Sequence, residues 1–179
     1  MATVLIGIFV VNMPAFAQGT PKLSDPEIAS VAVVANQIDI SYAAIAKQKS
    51  KNADVLKFAQ TMADDHKAII AQAVALVTKL GVTPKDNAVS KQLLSDAEKT
   101  KKMLRSKSGK EFDKAYIDNE VAYHKAVISA VETLLIPQAQ NSELKALLQK
   151  VVPTLKAHLA HAEMVQSNFN GNGKHMGKM

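Results

Sequence analysis

The chain contains no cysteine and no tryptophan. Without thiols it forms no disulfide, offers no thiolate nucleophile and builds no thiolate metal site. Any metal must then be held by histidine, carboxylate, methionine or water. Aromatic residues make up only 4% of 179 positions, and there are 7 glycines and 6 prolines. Strand-rich folds need turn residues about every 8–12 positions and many β-branched or aromatic side chains. Long stretches here are free of both Gly and Pro, so the composition favours helices. No serine lies in a G-x-S-x-G setting, and nothing supplies a nucleophile with its base. The reading therefore leans away from an enzyme.

Hydrophobic residues account for 47% of the chain, and the formal net charge is +6. The length suits one domain with a real core. The lysines are interleaved with Asp and Glu along the chain. The one dense basic cluster is Lys99, Lys101, Lys102, Arg105, Lys107 and Lys110. No aromatic side chains stand among them to stack on bases, so a solvated basic face is favoured over a nucleic-acid site.

Residues 4–11 form an uninterrupted apolar run, followed by Pro14 and the small-x-small triplet Ala15-Phe16-Ala17. The run is short for a bilayer span and matches the h-region of a secretory signal. Met1-Ala2-Thr3 carries no side-chain charge where a basic n-region is expected, which would place the true start upstream. Cleavage near Ala17 is expected, with an uncleaved anchor as the alternative, 18–24 as a linker and a periplasmic or otherwise exported mature chain. No further segment is expected to span a membrane.

Ser24-Asp25-Pro26-Glu27 has the chemistry of a helix start. Apolar positions then recur at Ile28, Val31, Ala35, Ile38, Tyr42 and Ile45. This is the three-to-four spacing of a buried face, and it ends near Ser50. A second helix is predicted from Asn52 to Leu80, with Gly81 as its stop and a seam of Val55, Phe58, Met62, His66, Ile69, Ala73, Leu76 and Leu80. A shorter, more polar helix over 88–105 reads as an outer element. A long helix follows over 110–135, and Pro137 lies beyond its end. The last helix spans 142–169, with a kink expected at Pro153. The tail 170–179 is Gly- and Lys-rich and is expected to be disordered. The architecture predicted is all-α: an antiparallel four-helix bundle over 25–169, with one extra outer helix between core helices two and three.

Three apolar seams are each interrupted by a histidine near mid-helix: His66, His124 and His158. Helices of similar length packed side by side bring mid-helix residues to similar heights. Glu120 lies one turn before His124 on the same face. Asp39 and Tyr42 stand near the middle of the first helix, and Asp65 adjoins His66. Burying such groups unpaired costs several kcal/mol. They either bind a metal, satisfy one another as a metal-free network, or fail to converge. The metal set is His66, His124, His158 and Glu120, with Asp65, Asp39 and Tyr42 supporting it. Imidazole suits Zn, Cu, Fe or Ni, so the ion stays open. Asp64, His161 and Glu163 read as solvated. Met62, Met103 and Met164 read as packing residues. His175 with Met176 and Met179 has a copper-binding composition on a short tail.

Several blocks carry a family resemblance. Phe58-Ala59-Gln60-Thr61-Met62-Ala63-Asp64-Asp65-His66 resembles the "fA..mi.DH" block of the DUF4142 domain. Phe112-Asp113-Lys114-Ala115-Tyr116-Ile117 followed by His124 is similar to its "FD.aYi…v..H" block. Pro153 to Leu159 resembles "lP.l..Hl", and Asn36-x-x-Asp39 resembles "aN..E" with Asp for Glu. The resemblance covers about residues 25–168. It implies an exported bacterial protein with a ferritin-like four-helix fold and no assigned activity, and it makes these three the family's histidines. Ferritin-like di-iron proteins use Glu-x-x-His pairs, which this chain lacks: Ala63, Val121 and Leu155 stand three residues before the histidines. Di-iron chemistry is therefore not expected. The leading expectation is a non-enzymatic exported protein holding one divalent metal in its bundle core. The alternative is a structural or stress-related envelope protein with a metal-free polar core.

Overall fold

A computed structural model describes residues 21–171. The expected signal segment 1–17, the start of the expected linker, and the chain from Asn172 onward lie outside the described residues. Those described form helices α1 (Asp25–Lys49), α2 (Ala53–Leu80), α3 (Ala88–Ser106), α4 (Gly109–Ala130), α5 (Ile136–Gln138) and α6 (Ser142–Gly171), with a π-helical turn at Val131–Leu135. No strand occurs among the described residues.

Local chemistry sets the ends. The Ser24 N–H and hydroxyl both donate to the Glu27 carboxylate. The Asn52 side chain accepts from the Asp54 and Val55 amides, satisfying two donors that the first turn of α2 leaves free. Gly81 closes α2 at φ +63°, a left-handed conformation that costs glycine little. Replacing Asn52 by Ala is expected to cost about 1 kcal/mol, read as a lower urea midpoint at unchanged slope.

Cross-helix pairs fix the directions. Along α2 the order Lys79, Gln72, Asp65 meets Glu143, Lys150, His158 along α6, so the two are antiparallel. Glu132, Lys125 and Asp118 of the α4 stretch meet Lys156, Glu163 and Gln166 in the same sense. Asn36 and Lys47 of α1 meet His66 and Gln60 of α2, again antiparallel. The Asp25 carboxylate at the start of α1 accepts from the Gln140 and Asn141 amides just beyond α5. Helix α3 runs parallel to α1: Asn87 bonds the Glu27 carbonyl at one end, and Lys49 bonds the Arg105 carbonyl at the other. Its buried residues are Ser90, Ala97 and Leu104, a thin seven-residue stripe that suits an outer element.

Two apolar clusters fill the bundle. One gathers Ile38, Tyr42, Phe58, Met62, Phe112 and Tyr116. The other gathers Ile28, Val31, Ile128, Leu134, Leu148 and Leu155. His124 on α4 and His158 on α6 fall between the two, while Asp39 and Glu120 lie among residues of the first.

Four expectations need correction. The helix expected to end at Leu135 before Pro137 continues to Gln138, with Pro137 inside its last turn. A regular α-helix would press the proline ring against the Thr133 carbonyl. The π-helical turn, closed by the Ile136 amide on the Val131 carbonyl five residues back, opens the helix there. Second, the lower seam of α2 is not buried: Ala73, Leu76 and Leu80 are half-exposed, and Ile69 is the last buried residue of that helix. Ala73 and Leu76 line a cavity, and Leu76 packs only partly buried against the second apolar cluster. Third, α1 is itself long and apolar enough, by length and composition, to cross a membrane. In the bundle it packs against α2, α3 and α4, and it buries Asp39 at its centre. Fourth, Met164 is exposed rather than packed. Helix α6 continues through Pro153 to Gly171, two residues into the expected tail.

Candidate metal centre

The buried polar side chains come from four helices: α1 contributes Asp39, α2 His66, α4 Glu120 and His124, and α6 His158. Their relative exposures are 0%, 3%, 0%, 1% and 3%. The imidazole centroids lie 5.7 Å apart for His66 and His124, 5.1 Å for His66 and His158, and 5.5 Å for His124 and His158. One ligand atom from each histidine falls within 4.8 Å of the others, and the same holds for Asp39, Glu120 and His124. The mid-helix histidines thus converge.

Each histidine has one nitrogen engaged by an oxygen. His66 Nδ1–H donates to Asn36 Oδ1 at 2.7 Å. His124 Nδ1–H donates to the Glu120 carbonyl at 2.9 Å. His158 Nε2–H donates to Asp65 Oδ2 at 2.9 Å. These partners select the tautomers and leave His66 Nε2, His124 Nε2 and His158 Nδ1 as bare lone pairs. All three are buried without a hydrogen-bond partner, as are both oxygens of Asp39 and both of Glu120. A histidine ligand characteristically donates its second nitrogen to a carboxylate or carbonyl, which fixes the ring and raises its basicity.

The carboxylates differ in reach. Asp39 Oδ2 lies 3.4 Å from His66 Nε2 and 3.6 Å from His124 Nε2, both free lone pairs. Glu120 Oε2 lies 3.6 Å from His124 Nδ1, the nitrogen already engaged by a backbone carbonyl. Asp39 therefore stands nearer the free donors than Glu120 does. Asp65, half-exposed, reaches the cluster only through His158. Tyr42 stays out of it: its ring meets Tyr123 edge-on at 5.5 Å.

Burial governs the charge. It pulls His66 down to about 3, helped by His124 and His158, and pulls His124 down to about 4. It pushes Asp39 up to about 7, and it holds Glu120 well above the carboxylate range, with the Asp39 charge adding to the effect. Without a cation, burial favours neutral imidazoles at His66 and His124 beside carboxyls that retain protons. A divalent ion would reverse that balance and favour the ionised carboxylate. Three imidazole nitrogens and a carboxylate oxygen make a mixed N/O donor set suited to first-row divalent metals.

Asn36 is the one residue of the candidate site that the spacing of histidines and acids did not reveal. It lies three residues before Asp39, and its amide also donates to the Ala32 carbonyl, which fixes the oxygen toward His66. Its place in the Asn36-x-x-Asp39 block was the available signal. For Asp65→Ala, metal affinity is expected to fall about 10–100-fold while the fold is kept, because the residue orients a ring. A competition titration against a chromogenic chelator reads this directly.

Comparison with curated proteins and with solved structures found no match. The family model for a domain of unknown function (DUF4142) matches residues 11–165, and the chain belongs to that family.

Proposed function

We propose that the protein is an exported, ferritin-like helical bundle that binds one divalent transition-metal ion in its core. His66 Nε2, His124 Nε2 and His158 Nδ1 are its nitrogen ligands, and Asp39 supplies the oxygen. Glu120 backs Asp39, while Asn36 and Asp65 orient two of the rings. The observation that carries this reading is the set of seven buried, unpartnered polar atoms on Asp39, His66, Glu120, His124 and His158, three of them histidine lone pairs with their tautomers set. Orphaned polar atoms at this density are costly in a core, and a cation satisfies the three nitrogens and an Asp39 oxygen together. The ferritin-like reading is supported by helix direction: α1 and α6 run one way, α2 and α4 the other, with α3 spanning the long crossover. Export is supported by the apolar run 4–11 and the Ala15-Phe16-Ala17 triplet.

The test is metal content. The untagged chain is incubated with equimolar Zn, Cu, Fe, Ni and Mn, desalted and analysed by mass spectrometry, beside a variant with His66, His124 and His158 all changed to Ala. About one ion per chain, lost in the variant, is expected. No retained ion in either protein would leave a metal-free polar core and overturn the reading.

A further inference from the structure

Lysines from separate stretches of the chain meet at one end of the bundle. Helices α1 and α3 end there, and α2 and α4 begin there. Lys49 ties these termini together: its ammonium donates to the Arg105 carbonyl at the end of α3 and lies 5.8 Å from the centre of the Phe112 ring of α4. The basic cluster over 99–110 is thereby joined by Lys47, Lys51 and Lys57. Residues 47–57 and 98–114 together hold eleven Lys and Arg against four Asp and Glu, while the rest of the chain holds eleven against twelve. The whole positive excess of the protein therefore lies in these two segments.

Local pairs neutralise only part of it. Glu98 pairs with Lys101, Glu111 with Lys107, and Asp113 is buried. Lys99 and Lys114 pair with Asp96 and Asp118. Lys47, Lys51, Lys57, Lys102, Arg105 and Lys110 are exposed, and none forms an ion pair among the described residues, which include every Asp and Glu of the chain. Like charges gathered at one end repel one another and work against the compact state. A surface of opposite sign relieves that repulsion.

The chemistry of this end selects among polyanions. Ten of the eleven cations are lysine, a hydrated point charge, whereas bidentate recognition of base edges and phosphates relies on arginine. The aromatic side chains here, Phe58, Phe112 and Tyr116, are buried, so they cannot stack on bases. The cations stand on several helix termini side by side, and no one helix carries them as a probe for a groove. Neither segment exposes a large apolar side chain, so contact stays at the level of head groups. Clustered lysine charge of this kind is drawn to anionic lipid.

We propose that this end of the bundle docks on an anionic phospholipid surface, with Lys47, Lys51, Lys57, Lys102, Arg105 and Lys110 against the head-group phosphates and no insertion into the bilayer. The proposal goes beyond the metal reading and does not depend on it.

The test is sedimentation of the full chain with vesicles of phosphatidylcholine mixed with phosphatidylglycerol, and with vesicles of phosphatidylcholine alone. Two variants of equal net charge run beside it. Lys51→Glu/Lys102→Glu/Lys110→Glu alters this end, and Lys22→Glu/Lys91→Glu/Lys145→Glu alters the opposite end, where α1, α3 and α6 begin. The unmodified chain is expected to bind the mixed vesicles and not the neutral ones. Affinity is expected to fall at least about tenfold in the first variant and less than about threefold in the second. Release is expected near 1 M salt, where the screening length falls to about 3 Å. No binding to the mixed vesicles at low salt, equal binding to neutral vesicles, or equal losses in both variants would overturn the proposal. So would tighter binding of duplex DNA than of the mixed vesicles at matched salt, which would assign the face to nucleic acid. Should the first variant fail to fold, glutamine at the same three positions removes the charge and gives the same comparison. Failure to retain any metal would remove the proposed function and leave this inference standing.

Discussion

The metal-loaded chain is expected to melt roughly 10 °C above the chelator-treated chain, and the gap is expected to close in the His66/His124/His158 triple-alanine variant. An ion that binds only the folded state stabilises it by RT ln(1 + [L]/Kd), about 4 kcal/mol at a thousandfold excess over Kd. For a chain of this size, each kcal/mol moves the midpoint by about 2–4 °C. Selectivity for the folded state is expected to be strong because the candidate donors come from four helices and sit at 3% exposure or less. Differential scanning calorimetry at two ion concentrations is the measurement. A midpoint indifferent to both ion and chelator would count against a core site.

The largest single-residue loss of stability is expected for Phe58→Ala, about 3–5 kcal/mol. Phe58 is fully buried on α2. Its ring meets Tyr116 of α4 at 6.1 Å and His161 of α6 at 5.1 Å, both edge-on. Truncation removes those edge-to-face contacts and leaves a hole that three helices cannot easily close. Domains of this kind have only about 5–15 kcal/mol of stability in total, so the variant stands near the folding limit. Val74→Ala, at a half-exposed site on the same helix, is expected to stay within about 0.5 kcal/mol. Urea denaturation of both variants against the parent tests the pair. A Phe58→Ala midpoint close to that of the parent would mean that the interhelical core is looser than the contacts require.

Helix positions were legible because their signals are local. Asn52 caps α2 and Gly81 ends it in the left-handed region, as their side chains dictate. The three histidines were legible as a group because a polar residue at mid-seam stands out against apolar periodicity. What the sequence did not disclose depends on neighbours distant in the chain. Ala73 and Leu76 have the spacing of a packed seam, yet the facing helices leave a cavity there. Pro137 signals a helix end locally, but the π-helical turn before it lets the helix continue. The apolar length of α1 is the same whether it faces lipid or protein, and only the packed bundle shows Asp39 buried at its centre. The relative reach of Asp39 and Glu120 is likewise a matter of side-chain direction, which periodicity does not encode.

The chain folds back on itself twice, α1 onto α2 and α4 onto α6, and these are its most extensive helix contacts. Each pair is closed by a short connection, so each is cheap to form in loop entropy. The donors are divided between them: Asp39 and His66 belong to the first pair, and Glu120, His124 and His158 to the second. The orienting bond from Asp65 to His158 also crosses from one pair to the other. Neither pair alone holds a complete donor set. The centre comes into being only when the two halves dock, so during refolding a bound ion would report the final assembly step and not the formation of either half.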